Sequence, residues 1–186
     1  MSRAYIFDFD GVLVNTMPAH FSAYRQALEE VGVAIDKQQF YRQAGMTGRE
    51  QIRYFADKAG VTIDVGRVYE RTREIRRDQP QPTEAIACNV ELLRLLRNAG
   101  VLVAIASGSS RASILPIMRE HAIEADAIVT AEDIQRGKPF PDLFLRAAEA
   151  LRVDPADCVV IEDSEVGIEA ARAAGMGALR FYDKPA

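Results

Sequence analysis

The sequence predicts an α/β fold: a Rossmann-like parallel sheet of about five strands with helices on both faces, plus an α-helical cap inserted after the first strand. Three observations lead there. From residue 101 onward, short continuous apolar runs alternate with amphipathic stretches, which is the pattern of strands buried on both faces of a parallel sheet. A separate apolar run near the start, Ala4-Tyr5-Ile6-Phe7, supplies one more strand. Between the two lies a helical stretch too long for a simple crossover, so it reads as an insert. The expected division is a catalytic core of residues 1–14 and 83–186 and a cap of residues 15–82.

Each element has its own signal. Ala4 to Phe7 runs straight into Asp8-Phe9-Asp10-Gly11. From Pro18 to about Gly32, Phe21, Tyr24, Leu28 and Val31 recur at helical spacing, and Gly32 is a stop. From about Asp36 to Arg77 the pattern is helical, interrupted at Gly45 to Gly48 and at Gly60. The polar stretch Asp78 to Thr83, broken by Pro80 and Pro82, reads as a linker. Asn89 stands where it would cap a helix carrying Leu92, Leu93, Leu95 and Leu96, stopped by Gly100. Strands then follow at Val101–Ala106, Ala127–Val129, Cys158–Ile161 and Ala178–Phe181, with helices at Ser110–Glu120, Asp142–Leu151 and Glu165–Ala174 between them.

Composition bounds the function classes. The 186 residues are 48% hydrophobic and 27% charged, enough to fill a core. The net charge of -4 argues against a nucleic-acid partner. Cys88 and Cys158 exclude a disulfide framework, suit a reducing cytosol, and read as buried or inert thiols. The apolar run at the N-terminus is short for a signal peptide, and no run reaches membrane-spanning length. The expectation is a cytoplasmic protein with no membrane partner, a monomer or a weak homo-oligomer.

In open α/β sheets ligands sit beyond the carboxyl ends of the strands. The first strand ends at Asp8 and Asp10, whose i, i+2 spacing puts both side chains on one side of an extended segment. A buried strand running into two acids places charge where desolvation is costly unless a cation answers it. Gly11 permits a turn and a close backbone approach. Ser107 and Gly108 close the second strand ahead of a helix, where a hydroxyl and free N–H groups make an anion site or a plain helix cap. Lys138 sits between Gly137 and Pro139, and Glu162-Asp163 follow the run Val159-Val160-Ile161. Taken singly, the lysine reads as a turn residue and the acids as helix N-terminal charges.

Together the pieces resemble the haloacid dehalogenase-like hydrolase superfamily. The resemblance rests on DFDGVLVNT at 8–16, the serine at 107 closing an apolar run, GKPFPD at 137–142 and EDSEVGIEAARAAGM at 162–176, in that order, and it spans nearly the whole chain. Within the superfamily the likeness is to the β-phosphoglucomutase and small sugar-phosphate phosphatase group. It implies Asp8 as nucleophile and Asp10 as general acid, then base. It implies Mg²⁺ held by Asp8, the Asp10 carbonyl and Asp163, with Glu162 as a further or outer ligand. Ser107, Gly108 and Lys138 would hold the phosphoryl oxygens, and His20 and Arg49 would contact the substrate from the cap. A cation and Lys138 beside Asp8 would keep it ionised, while Asp10 would carry a proton.

The expected activity is a Mg²⁺-dependent phosphatase acting on a small phosphorylated metabolite, a sugar phosphate. The alternative is a phosphomutase that returns the phosphoryl group to a second sugar hydroxyl. The insert is short, which favours water as acceptor. A non-catalytic phosphometabolite sensor on the same fold would not need Asp8 and Asp10, and a dehalogenase would have no use for Glu162-Asp163.

Overall fold

The computed structural model describes residues 4–43 and 45–181. After β1 (Ala4–Phe7) comes the two-residue β2 (Val14–Asn15), then α1 (Met17–Glu29), α2 (Lys37–Arg42), α3 (Gly48–Ala59) and α4 (Val65–Asp78). β3 (Glu84–Ala85) pairs antiparallel with β2, so the chain leaves and returns at one place. There follow α5 (Ala87–Asn98), β4 (Leu102–Ala106), α6 (Arg111–Glu120), β5 (Ala127–Val129), α7 (Asp142–Leu151), β6 (Cys158–Glu162), α8 (Glu165–Ala173) and β7 (Gly177–Arg180). The main sheet has the order β5-β4-β1-β6-β7, all parallel, with β1 in the centre.

The continuous apolar runs arise because both sheet faces are buried. Ile6, Ala104, Ala106 and Val160 pack against Leu143, Phe144 and Ala147 of α7 and Ala170 and Ala171 of α8. Phe7, Val103, Ile105 and Ile161 alternate with them and pack on the other face against Val90 and Leu93 of α5 and Ile114 and Met118 of α6. Phe144 is fully buried, a contribution of about 2–3 kcal/mol from apolar area alone.

The helical stretch at 36–77 divides into three helices, each started by a side chain. Asp36, Thr47 and Asp64 accept hydrogen bonds from the backbone N–H groups of Gln39, Glu50 and Arg67. With α1 they bury a cluster of their own, in which Tyr24, Leu28, Phe40, Ile52, Phe55, Val68 and Ile75 meet. The Tyr24 and Phe40 rings stand edge to face, 5.3 Å between centroids.

One sequence expectation is corrected, and the pair of cysteines divides. Asn89 does not cap α5. It lies inside the first turn, buried, and its Nδ2 donates to the Val12 carbonyl at 2.8 Å, pinning the turn after β1. Cys158 is buried, but Cys88, at the start of α5, is exposed.

Candidate active site

The carboxyl ends of β1, β4 and β6 bring together Asp8, Ser107, Glu162 and Asp163, because parallel strands end on one edge. Lys138, in the loop between β5 and α7, is fully buried and its ammonium lies over the Phe144 ring, 5.1 Å from the centroid. Its Nζ donates to Asp8 Oδ1 at 2.7 Å and to Glu162 Oε2 at 2.9 Å. The turn lysine suggested by its flanking residues is thus a buried cation between two acids. Burial alone would lower its pKa, but the two carboxylates outweigh burial and hold it above the ordinary lysine value, so it stays charged.

One cation faces three carboxylates. Burial, and next the charge of Glu162, push the Asp8 carboxyl well above the usual range against the pull of Lys138. The same two causes push Asp163 up to about 7. Ligand atoms of Asp8, Glu162 and Asp163 lie within 4.8 Å of one another. Asp163 Oδ1 is buried with no hydrogen-bond partner, an acceptor that a hard cation would satisfy. Glu162 offers less. Oε1 accepts from the Ser164 N–H and hydroxyl and Oε2 from Lys138, so both of its oxygens are engaged within the protein. A divalent cation therefore fits Asp8 and Asp163, with Glu162 behind them orienting Lys138.

Asp10 sits a few ångströms along the chain in the opposite environment. Thr16 Oγ1 donates to its Oδ1 at 2.5 Å, and Ser107 and Ser109 hydroxyls donate to Oδ2 at 2.9 and 2.8 Å. His20 Nε2 lies 3.2 Å from Oδ1. Burial would raise the Asp10 pKa, but the hydrogen bond from His20 and those from Thr16 and Ser109 outweigh it and hold the carboxyl well below the usual range. Burial, and then the Arg76 charge, lower the His20 pKa. A neutral ring donating from Nε2 to Asp10 fits its other contact, Arg76 NH1 at 3.5 Å from Nδ1. The chain's own groups thus set the reverse of the expected balance. Asp8 lies among like charges and Asp10 among donors, and the sequence shows neither neighbourhood.

The other expected residues divide. Gly108 lies beneath the loop before α3, where an added Cβ would stand 2.9 Å from the Met46 carbonyl oxygen. His20, on α1, lines the cleft and reaches Asp10 directly. Arg49 does not line the cleft. Its guanidinium lies over the Tyr69 ring, 5.0 Å from the centroid, and 4.0 Å from Glu70. Arg76 lines the cleft in its place, together with Asp8, Asp10, His20 and Ser109, around a cavity of about 50 Å³. Arg71 and Arg77 each pair with a carboxylate on the surface, and Arg73, which also lines the cleft, pairs with Glu70. Thr16, Ser109 and Arg76 were not assigned roles from sequence. Thr16 lies one helical turn before His20, a spacing that carries a hint, whereas Arg76 is 56 residues from its partner and carries none.

Residues 5–181 match the model of the family described as haloacid dehalogenase-like hydrolase. The chain is 33% identical over 187 residues to the β-phosphoglucomutase of Bacillus subtilis, covering 95% of this chain and 82% of that one. It is 30% identical over 184 residues to a phosphorylated carbohydrates phosphatase of Thermotoga maritima, covering 94% and 82%. In fold it is similar to the crystal structure of a β-phosphoglucomutase from Clostridium difficile, with a TM-score of 0.83 at 24% identity over 97% of this chain and 84% of that one.

Proposed function

The chain belongs to the haloacid dehalogenase-like hydrolases, and from that membership and its site we propose that it is a Mg²⁺-dependent phosphatase of a sugar phosphate, working through an aspartyl-phosphate. The observation that carries this is the buried Lys138 held against Asp8 at the end of the central strand, beside an unpartnered Asp163 oxygen. Residues 15–82 act as a cap over that edge.

In the first step an Asp8 oxygen attacks phosphorus, the bond from phosphorus to the sugar oxygen breaks, and Asp10 gives that oxygen a proton. In the second, water attacks phosphorus, Asp10 takes its proton, and the Asp8 carboxylate leaves. Lys138 offsets charge on the phosphoryl oxygens as the group transfers. The ionised Asp10 is the form the second step needs. The first needs it protonated, and the proton comes from solvent as the phosphate ester binds: its negative charge beside Asp10 raises the carboxyl's pKa, and the Ser107 hydroxyl, which donates to Asp10, is free to turn to a phosphoryl oxygen. A Mg²⁺ held by Asp8 and Asp163, with the Asp10 carbonyl, would supply the charge that keeps the nucleophile ionised and neutralises the phosphoryl group.

A panel of hexose and pentose phosphates tests the acceptor. Net release of inorganic phosphate without a bisphosphate activator is expected. The likeness to a β-phosphoglucomutase supports the second reading, a phosphomutase. Bisphosphate-dependent conversion of β-glucose 1-phosphate to glucose 6-phosphate, faster than phosphate release, would establish it instead.

Metal binding should depend on pH with a definite sign. Asp163 titrates near 7, so below that pH a proton competes with the cation, and binding releases it. At pH 8, Mg²⁺ at about 100-fold above its Kd should raise Tm by about 5–10 °C. The rise should shrink steadily as pH falls toward 5.5. A rise independent of pH, or turnover undiminished by a chelator, would remove the metal from this reading.

A further inference from the structure

Glu50 does more than start a helix. It stands in the first turn of α3, where its Oε2 accepts from the backbone N–H of Thr47 at 2.9 Å and from the Thr47 hydroxyl at 2.6 Å, while Thr47 caps the helix in return. That reciprocal pair accounts for one carboxylate oxygen. The other leaves the helix altogether: Oε1 accepts from the backbone N–H of Gly137 at 3.0 Å, across 87 residues of sequence. Gly137 directly precedes Lys138, the buried cation of the site.

The approach is close. A Cβ on Gly137 would stand 2.3 Å from Glu50 Oε2 and 2.8 Å from the Thr47 nitrogen, so no side chain fits there while α3 is seated. Gly137 is not in the left-handed region, so its backbone conformation suits any residue; what requires glycine is the neighbour. Lys138 itself is held by Asp8 and Glu162, both in the core, and does not need Glu50 to stay in place. The bond to Gly137 therefore acts on the relation between the helical insert and the strand-end loop. The same insert carries His20, whose contact with Asp10 exists only with the two parts together.

We propose that Glu50 is a positioning residue, a latch that holds the cap shut on the loop before Lys138 and so keeps His20 on Asp10. This rests on the reading of residues 15–82 as a cap and of the protein as a phosphatase. A latch should matter for substrates that need proton transfer to the leaving oxygen, and little for p-nitrophenyl phosphate, whose leaving group needs no acid.

Three variants separate latching from helix capping. Glu50→Ala should lower kcat/KM for the best sugar phosphate by about tenfold or more while p-nitrophenyl phosphate stays within about twofold. Gly137→Ala, which keeps both capping side chains and blocks the approach, should lower the ratio of the two kcat/KM values alike. Thr47→Ala, which removes the cap of α3 and not the bond to Gly137, should lower Tm and leave the ratio unchanged. Amide hydrogen exchange at Gly137 reads the latch without turnover. It should be slow in the wild type and in Thr47→Ala, and about tenfold faster or more in Glu50→Ala. Rapid exchange at Gly137 in the wild type would overturn the latch, as would equal losses on both substrates in Glu50→Ala. An inactive wild type whose Gly137 is protected through Glu50 would overturn the phosphatase reading and uphold the latch.

Discussion

Asp8→Asn is expected to lower kcat by about 10⁴-fold or more, because an amide cannot form the acyl phosphate and no other carboxylate stands where the strand edge presents Asp8. The fold should survive. The Asp8 carboxyl sits beside Glu162 and Asp163 and its pKa is raised by burial and by their charge. A pKa raised on folding means that stability falls as pH climbs above the unfolded value, so removing the charge relieves the folded state at pH 8. Lys138 keeps Glu162 as a partner. Tm without added metal should therefore not fall, while the rise produced by Mg²⁺ should shrink. Steady-state kinetics and thermal melts of this single variant read both parts. Substantial turnover would place the nucleophile elsewhere.

Asp10→Asn should lower kcat/KM on sugar phosphates by about 10²–10⁴-fold, the range for loss of a positioned acid–base group. Its effect on kcat/KM should be smaller on acetyl phosphate, whose leaving group departs without a proton, while kcat falls on both because hydrolysis of the acyl phosphate loses its base. Four donors converge on this carboxylate, from Thr16, His20, Ser107 and Ser109. An amide turns two of its own N–H bonds toward them, at a cost of about 1–3 kcal/mol in stability. The hydroxyls can rotate to accept, which keeps the loss at the lower end. Comparison of kcat/KM for the two substrates checks the role, and a uniform loss of kcat/KM on both would mean that Asp10 serves the structure more than the proton transfer.

Much of the fold was legible because its signals are local. β1, β5 and α7 fall where the apolar runs and helical spacing put them, at Ala4–Phe7, Ala127–Val129 and Asp142–Leu151. β2 and β3 were not legible. Each has two residues, too few for any period, and their pairing joins residues 14–15 to 84–85. Asn89 has the composition of a cap, but a carbonyl 77 positions away claims its amide. In the site, the order of motifs along the chain picked out Asp8, Asp10, Ser107, Lys138, Glu162 and Asp163, which the fold brings together, since strand ends follow from strands. What sequence could not supply was the set of neighbours. Lys138 reads as a turn residue until its burial is known, and nothing in the pattern places Arg49 beside Tyr69 and Glu70. Protonation depends on those neighbours, so residue types alone do not fix the charge states of Asp8 and Asp10.

The central claim, that Asp8 carries the phosphoryl group, is tested most directly by trapping it. Asp10→Asn can form the acyl phosphate from acetyl phosphate and Mg²⁺ but lacks the base that helps water remove it. After an acid quench and peptide mass mapping, a single phosphoryl adduct should appear on the peptide containing Asp8 and be missing when Asp8→Asn is added to the variant. An adduct on Ser107 or His20 that persists in the double variant, or none at all while phosphate is still released, would contradict the account.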